Sequence, residues 1–227
     1  TPLIQTMDTK IIKLLLGILS SYLLGSIPMA YIFGKMTKGI DLRQHGSGNL
    51  GATNAFRALG RATGMIVLIL DILKGTLAVI CVKYFFYSGQ LPLSANSVLC
   101  LSAIAVVCGH NWTVFLGFKG GKGIATSLGA LIAFSILIER FVWVVVCVVL
   151  LWLIIFIPSG FVSLASLICS LCLPVLSTFF NLPLEITVFL LILGVFSLIR
   201  HKSNIYRLLQ KKESRFNTRA FFSKLAR

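Results

Sequence analysis

At 227 residues the chain has the length of one or two domains, but its composition decides the class before its length does. Hydrophobic residues make up 57% and charged residues only 12%, about half the roughly 25% of an ordinary soluble protein, which excludes a water-soluble globular fold. A net charge of +15 would suit nucleic acid in a soluble chain; in a membrane chain it marks a surface facing anionic lipid or anionic substrates.

Seven apolar runs follow one another, at about 11–34, 64–87, 93–108, 123–138, 141–157, 160–180 and 183–199. About 20 helical residues cross a bilayer core of about 30 Å. The expected fold is therefore an all-α integral membrane protein, a seven-transmembrane-helix bundle forming a single domain over 1–227; five or six spans follow if short runs are half-membrane segments. The first run is not a secretory signal, because it continues past any small-residue cleavage site into Gly25-Ser26-Ile27-Pro28. With seven spans, sixteen Lys and Arg fall on one face and Lys10, Lys13, Lys83 and Arg140 on the other. The excess of positive charge predicts an outside N-terminus, a cytoplasmic C-terminus and a basic cytoplasmic tail at 200–227.

The loop after the first run reads HGSGNLGATN (45–54), in which Gly46, Gly48 and Gly51 form a G-x-G-x-x-G. A dinucleotide site would need a preceding strand and an acidic residue about 20 positions on; Asp71 has the spacing but lies inside an apolar run. The glycines permit positive φ and close backbone approach. Their amides can form an anion-binding nest, extended by the first amides of a helix starting near Gly51. Ser47, Asn49, Thr53 and Asn54 add neutral donors, and Asn54, Arg57 and Arg61 would share one face of that helix. This pattern predicts a phosphate cradle. Further along, Asp71 and Lys74 lie one turn apart within the second run and are expected to neutralise each other, since an unpaired charge in a bilayer is costly.

The second polar cluster, GHNWTVFLGFKGGKGIATSLG (109–129), places Lys119-Gly120-Gly121-Lys122-Gly123 ahead of a helix. A Walker A loop would need Gly at 116 and Ser or Thr at 123; Leu116 and Gly123 stand there, so nucleotide hydrolysis is not supported. Bare backbone beside two cations suits a phosphate, although interfacial lysines that snorkel would look the same. His110 fits either a structural helix cap or a catalytic group. Cys169 and Cys172 form a C-x-x-C inside an apolar run, without cations to activate a thiol, and are expected to pack. Ser163 and Ser166, near the cytoplasmic end of the sixth run, could reach the same site.

The third cluster, RHKSNIYRLLQKKESRF (200–216), follows the last run, with His201, Asn204 and Arg207 on one helical stripe. The six acids, Asp8, Asp41, Asp71, Glu139, Glu185 and Glu213, are scattered, so no metal site is expected. No H-x-x-x-x-D occurs, which removes the usual motif of coenzyme-A-dependent glycerolipid acyltransferases.

In that order, the three clusters resemble the motifs of bacterial membrane acyl-phosphate:glycerol-3-phosphate acyltransferases of the PlsY type. The resemblance implies a seven-helix fold in the bacterial plasma (inner) membrane with a cytoplasmic active site. It implies transfer of a fatty acyl group from acyl phosphate to glycerol 3-phosphate, giving lysophosphatidic acid and inorganic phosphate, with no cofactor, no coenzyme A and no nucleic acid. It carries the family's essential serine and arginine onto Ser47 and Arg57, the phosphate loop onto Lys119–Gly123, the last motif's pair onto His201 and Asn204, and a structural glutamate onto Glu213. Thr113 stands where the family often has proline, which bears on local loop geometry.

That chemistry suits the residues present. Two phosphate anions call for cations and backbone donors, and an acyl phosphate is already activated, so no enzyme nucleophile is required. The expectation is direct attack by the 1-hydroxyl, with Ser47 and the Gly46–Gly51 loop on the leaving phosphate. Arg57, one or both of Lys119 and Lys122, His201 and Asn204 would hold glycerol 3-phosphate. His201 or a substrate phosphate oxygen would take the proton. The rival reading is a transporter of phosphate-bearing metabolites, against which stand the absence of paired internal repeats and the gathering of all three clusters on one face.

Overall fold

The computed structural model describes residues 2–87, 89 and 93–216. Among the described residues the regular structure is entirely helical. The helices are α1 (Pro2–Ser26), α2 (Met29–Lys38), α3 (Ala52–Ala58), α4 (Arg61–Cys81), α5 (Ala95–Asn111), α6 (Ile124–Leu137), α7 (Phe141–Ser159), α8 (Val162–Phe179), α9 (Leu184–Arg200) and α10 (Lys202–Leu209). Short turns at Leu42–Gln44 and Val114–Leu116 and a π turn at Val82–Phe86 complete them.

Each apolar run is helical, but length separates them. Five helical stretches are long and apolar enough to cross a membrane: Met7–Lys38, Arg61–Phe86, Ala95–Leu116, Phe141–Ser159 and Val162–Phe179. A sixth follows if α9 and α10, bent by 62°, count as one span. At 14 residues, α6 is only roughly 21 Å long, short of the hydrocarbon thickness, and packs inside the bundle against α4. Of the tail expected at 200–227, residues 217–227 lie outside the described residues.

Close helix approach comes from small residues. A β-carbon on Gly75 of α4 would strike the Thr126 carbonyl of α6, and one on Gly129 would strike the Ile72 carbonyl. Gly25 and Gly109 do the same for α1 against α5. In lipid, where apolar burial does not drive helices together, such van der Waals contact does. Phe134 stacks on Phe189 at 5.1 Å and packs against Phe141 at 5.2 Å, filling the centre, while Leu15, Leu19, Leu150, Ile154 and Leu191 point outward. Cys169 is buried, its thiol directed at the Val148 carbonyl of α7, and all six cysteines are free.

Two breaks differ from the expected runs. The first run is interrupted at Ile27–Pro28, since proline brings no N–H to the helix ladder. The carbonyls freed there are taken up from outside: Thr113 Oγ1 donates to Ser26 O at 2.6 Å and Lys74 Nζ to Ile27 O at 2.9 Å. Thr113 thus gives the loop after α5 a polar anchor on the break. The second difference corrects the expected stripe of Asn54, Arg57 and Arg61. α3 starts after Gly51 as expected but ends at Ala58; Gly60, at φ +99°, turns the chain, and Arg61 opens α4 instead.

Candidate active site

Three segments, 41–51, 117–123 and 201–216 with α10 inside the last, meet at one end of the bundle. The first is held by α3. Asn54 is 1% exposed, and its side chain reaches back under the glycines: Oδ1 accepts the Ser47 N–H at 3.0 Å, and Nδ2 donates to Leu42 O, His45 O and Asn49 O at 3.0–3.2 Å. Gly46 and Gly48 have φ of +60° and +69°, and a β-carbon at 46 would overlap Asn54 Oδ1. Asn54, expected in a substrate pocket, is therefore the clamp that shapes the loop, its polar atoms already used. Ser47 itself is exposed, and Thr53 is half-buried on the first turn of α3. Asn54→Ala would strand buried backbone groups at about 1–3 kcal/mol each, so its melting temperature in detergent should fall by several degrees even without substrate.

The lysine loop rests on the end of α5. Gly120 N–H donates to Asn111 O at 3.2 Å and Gly121 N–H to His110 O at 3.0 Å; a side chain at either glycine would collide with the His110–Asn111 turn. From the opposite side Arg200 closes on the same two residues, Nε on Gly121 O at 2.9 Å and Nη2 on Gly120 O at 2.8 Å, its guanidinium 5.7 Å from the Trp112 ring. The two lysines consequently leave the loop in different directions.

Lys119 is exposed and lines an open cavity of about 460 Å³, together with Gly48, Gly120, Arg43 and Arg200. Lys122 is half-buried and donates to Asn204 Oδ1. Asn204 Nδ2 donates to Glu213 Oε1 at 2.6 Å, where Ser163 Oγ also donates at 2.7 Å, and Arg207 Nε meets Glu213 Oε2 at 2.7 Å. Burial works against the Glu213 carboxylate, but hydrogen bonds from Ser163, Arg207 and Asn204 outweigh it and hold its pKa below the ordinary value. Ser163 and Arg207 thus join the site through Glu213. Arg57 is tied to the same C-terminal segment, Nη1 on Ser214 Oγ at 2.8 Å and Nη2 on Ser214 O at 3.1 Å.

Electrostatics tune two of these groups. Burial pushes the Lys122 ammonium down to about 8, opposed by Glu213 and reinforced by Arg207, Arg200 and Arg57. Burial, and then the charge of Lys122, push His201 down to about 4. His201 Nδ1 lies 2.9 Å from Ser197 O; a carbonyl only accepts, so Nδ1 carries the proton and Nε2 keeps a lone pair.

Of the residues expected in the site, Arg57, Lys122, Ser163, His201, Asn204, Arg207 and Glu213 come together, as do Gly48, Lys119 and Gly120 around the cavity. His110 faces downward into a buried ion pair. Arg43 and Arg200 were not expected there. Arg200 ends an apolar helix and reads as a membrane-edge charge; only its place one residue before His201 hints at more.

Together these features define an all-helical integral membrane protein with a cation-rich, glycine-lined polar face at one end. The chain belongs to the glycerol-3-phosphate acyltransferase family: the family model described as Glycerol-3-phosphate acyltransferase matches residues 15–211. A glycerol-3-phosphate acyltransferase of Thermoanaerobacter sp. (strain X514) is 43% identical over 196 residues, covering 86% of this chain and 91% of the relative. The crystal structure of PlsY (YgiH), an integral membrane glycerol 3-phosphate acyltransferase, in its glycerol 3-phosphate form superposes with a TM-score of 0.80 at 38% identity, covering 92% of this chain and 98% of that one. Its lysophosphatidic acid form gives 0.77 at 38% identity, with 90% and 96% covered.

Proposed function

We propose that this chain moves a fatty acyl group from acyl phosphate to the 1-hydroxyl of glycerol 3-phosphate, releasing lysophosphatidic acid and inorganic phosphate in the first step of bacterial phospholipid synthesis. It works as a single membrane domain over 1–227, with seven spans, the short α6 crossing inside the bundle rather than against lipid, in the plasma (inner) membrane. Its N-terminus is outside and its polar face cytoplasmic. The observation that carries this reading is the divergence of Lys119 and Lys122 from one clamped Gly120-Gly121 hinge into two neighbouring cationic sites. A reaction between two phosphate-bearing substrates needs two such sites side by side.

The acyl phosphate's phosphate sits in the cavity of Gly48, Lys119, Arg43 and Arg200, beside the Gly46–Gly51 amides and Ser47, with its acyl chain toward lipid. The phosphate of glycerol 3-phosphate sits against Lys122 and Arg57, with Asn204 and His201 aligning the hydroxyl. The 1-hydroxyl oxygen bonds to the acyl carbonyl carbon while the carbon–oxygen bond to phosphate breaks, and the Ser47 hydroxyl stabilises the developing charge. An imidazole with a pKa of about 4 is a weak proton sink, so the proton passes to an oxygen of the departing phosphate.

Purified protein supplied with acyl phosphate and glycerol 3-phosphate should release phosphate only when both are present; release that ignores the acceptor, or uptake of labelled glycerol 3-phosphate into vesicles without release, overturns the reading. A pH profile adds a sharper check. Because kcat/KM reports ionisations of the free enzyme and free substrate, kcat/KM for glycerol 3-phosphate should level off between the substrate phosphate's own ionisation, at about pH 6, and about pH 8, and fall as Lys122, with its pKa of about 8, loses its proton. In Lys122→Arg that alkaline limb should move out of range, because arginine stays charged.

A further inference from the structure

Beneath the lysine loop lies a buried charge cluster that the transfer reaction does not use. Asp71 and Lys74 of α4 are 1% and 3% exposed, and His110 at the end of α5 is 7% exposed. Lys74 Nζ is 2.8 Å and His110 Nδ1 3.5 Å from the same oxygen, Asp71 Oδ1.

Mutual neutralisation accounts for Asp71 and Lys74 but not for what the cluster touches. Lys74 also holds Ile27 O at the break between α1 and α2. His110 presents its Nε2 edge to Gly121, so closely that a β-carbon there would overlap it, and that same β-carbon would lie 2.9 Å from Leu50 O of the glycine loop. Lys74, His110, Leu50, Gly120 and Gly121 border one small cavity. Three parts of the protein thus bear on one ion pair: the helix break, the glycine loop and the lysine loop. Arg200 holds the lysine loop from the other side.

We propose that Asp71, Lys74 and His110 are positioning residues for the transfer reaction: through the His110–Gly121 contact they set the seat of Gly120-Gly121 and hence the divergence of Lys119 and Lys122. The inference rests on the reading that these lysines serve two phosphates. In a bilayer-buried setting an ion pair is costly to keep. A pair kept for neutrality alone would be replaceable by two neutral side chains, whereas a pair that carries His110 would not.

The test compares wild type with the double variant Asp71→Asn/Lys74→Met, which leaves no unpaired charge, and with His110→Gln and His110→Leu, all purified in detergent. Melting temperature, kcat and both KM values are measured, with the rate at which Lys119 and Lys122 react with an amine-acetylating reagent. The expected result is a double variant that melts within a few degrees of wild type but loses about ten- to hundred-fold in kcat/KM, both KM values rising together. Lys122 should then acetylate faster while Lys35 is unchanged. His110→Gln, which can keep a donor on Asp71, should retain more activity than His110→Leu. If the double variant folds with wild-type kinetics and labelling, the cluster serves neutrality alone and the proposal falls. Should it not fold, the histidine variants decide: unaltered KM values and Lys122 labelling in His110→Leu overturn the proposal equally. A wild type without acceptor-dependent release would refute the transferase reading, while the labelling arm would still judge the positioning role.

Discussion

Lys122→Met should lower kcat/KM for glycerol 3-phosphate by about 10²–10³-fold, whereas Lys119→Met should mainly raise KM for acyl phosphate, with kcat little changed. The difference follows from burial. Lys122 is half-enclosed and fixed by Asn204, which is itself fixed by Glu213, so its charge acts where water screens it poorly. Lys119 is exposed at the mouth of a cavity it shares with Arg200 and the Asp41–Arg43 ion pair, where water and salt screen its charge. Steady-state kinetics with each substrate varied in turn separates the two effects. If Lys119→Met proves the more damaging for glycerol 3-phosphate, the assignment of the two sites is reversed.

Ser47→Ala and Arg57→Ala should each abolish measurable turnover while leaving expression and melting temperature close to wild type. Neither residue supports the fold. Ser47 is exposed on a loop whose shape comes from Asn54 through the backbone, so deleting its hydroxyl leaves the clamp intact. Removing one such donor from a preorganised site costs about 10²–10³-fold. Among the described residues the exposed Arg57 is held by Ser214 alone, a neutral partner that a phosphate would outcompete. Arg57→Lys should recover little, because an ammonium does not reproduce the two-pronged grip of a guanidinium. Near-normal rates in either alanine variant would remove that residue from the reaction.

These expectations also mark how far the sequence is legible. Apolar runs are readable because nothing but lipid tolerates them, and each is helical. Their lengths are less so: α6 looks like a span by composition, yet its 14 residues are fixed by Gly123 before it and the turn at Ile138 after it. The i, i+7 pattern puts Arg61 on α3, but a single glycine, Gly60, outweighs it and Arg61 opens α4. Asn54 has the side chain of a ligand contact; only the fold shows that it is used up by backbone groups five to twelve residues earlier. The Asp71–Lys74 pair was visible as helical spacing, but His110 joins from another helix, a contact no local pattern encodes. Glu213 shows the reverse case, where the resemblance names a structural role and the geometry supplies its means: one carboxylate receives three hydrogen bonds, from Ser163 of α8 and from Asn204 and Arg207 of α10.

The segment after α10 has a consequence for the order in which the site is made. Glu213 fixes Asn204, Ser214 holds Arg57, and the Phe216 N–H donates to Gly160 O at 2.7 Å, tying the segment across the bundle. A nascent chain that stops short of residue 213 could insert every apolar helix and still leave Lys122 and Asn204 without the carboxylate that holds them. Insertion of the apolar helices and completion of this polar network are thus separate events during synthesis, and the second waits for residues that leave the ribosome after the last apolar helix has already emerged.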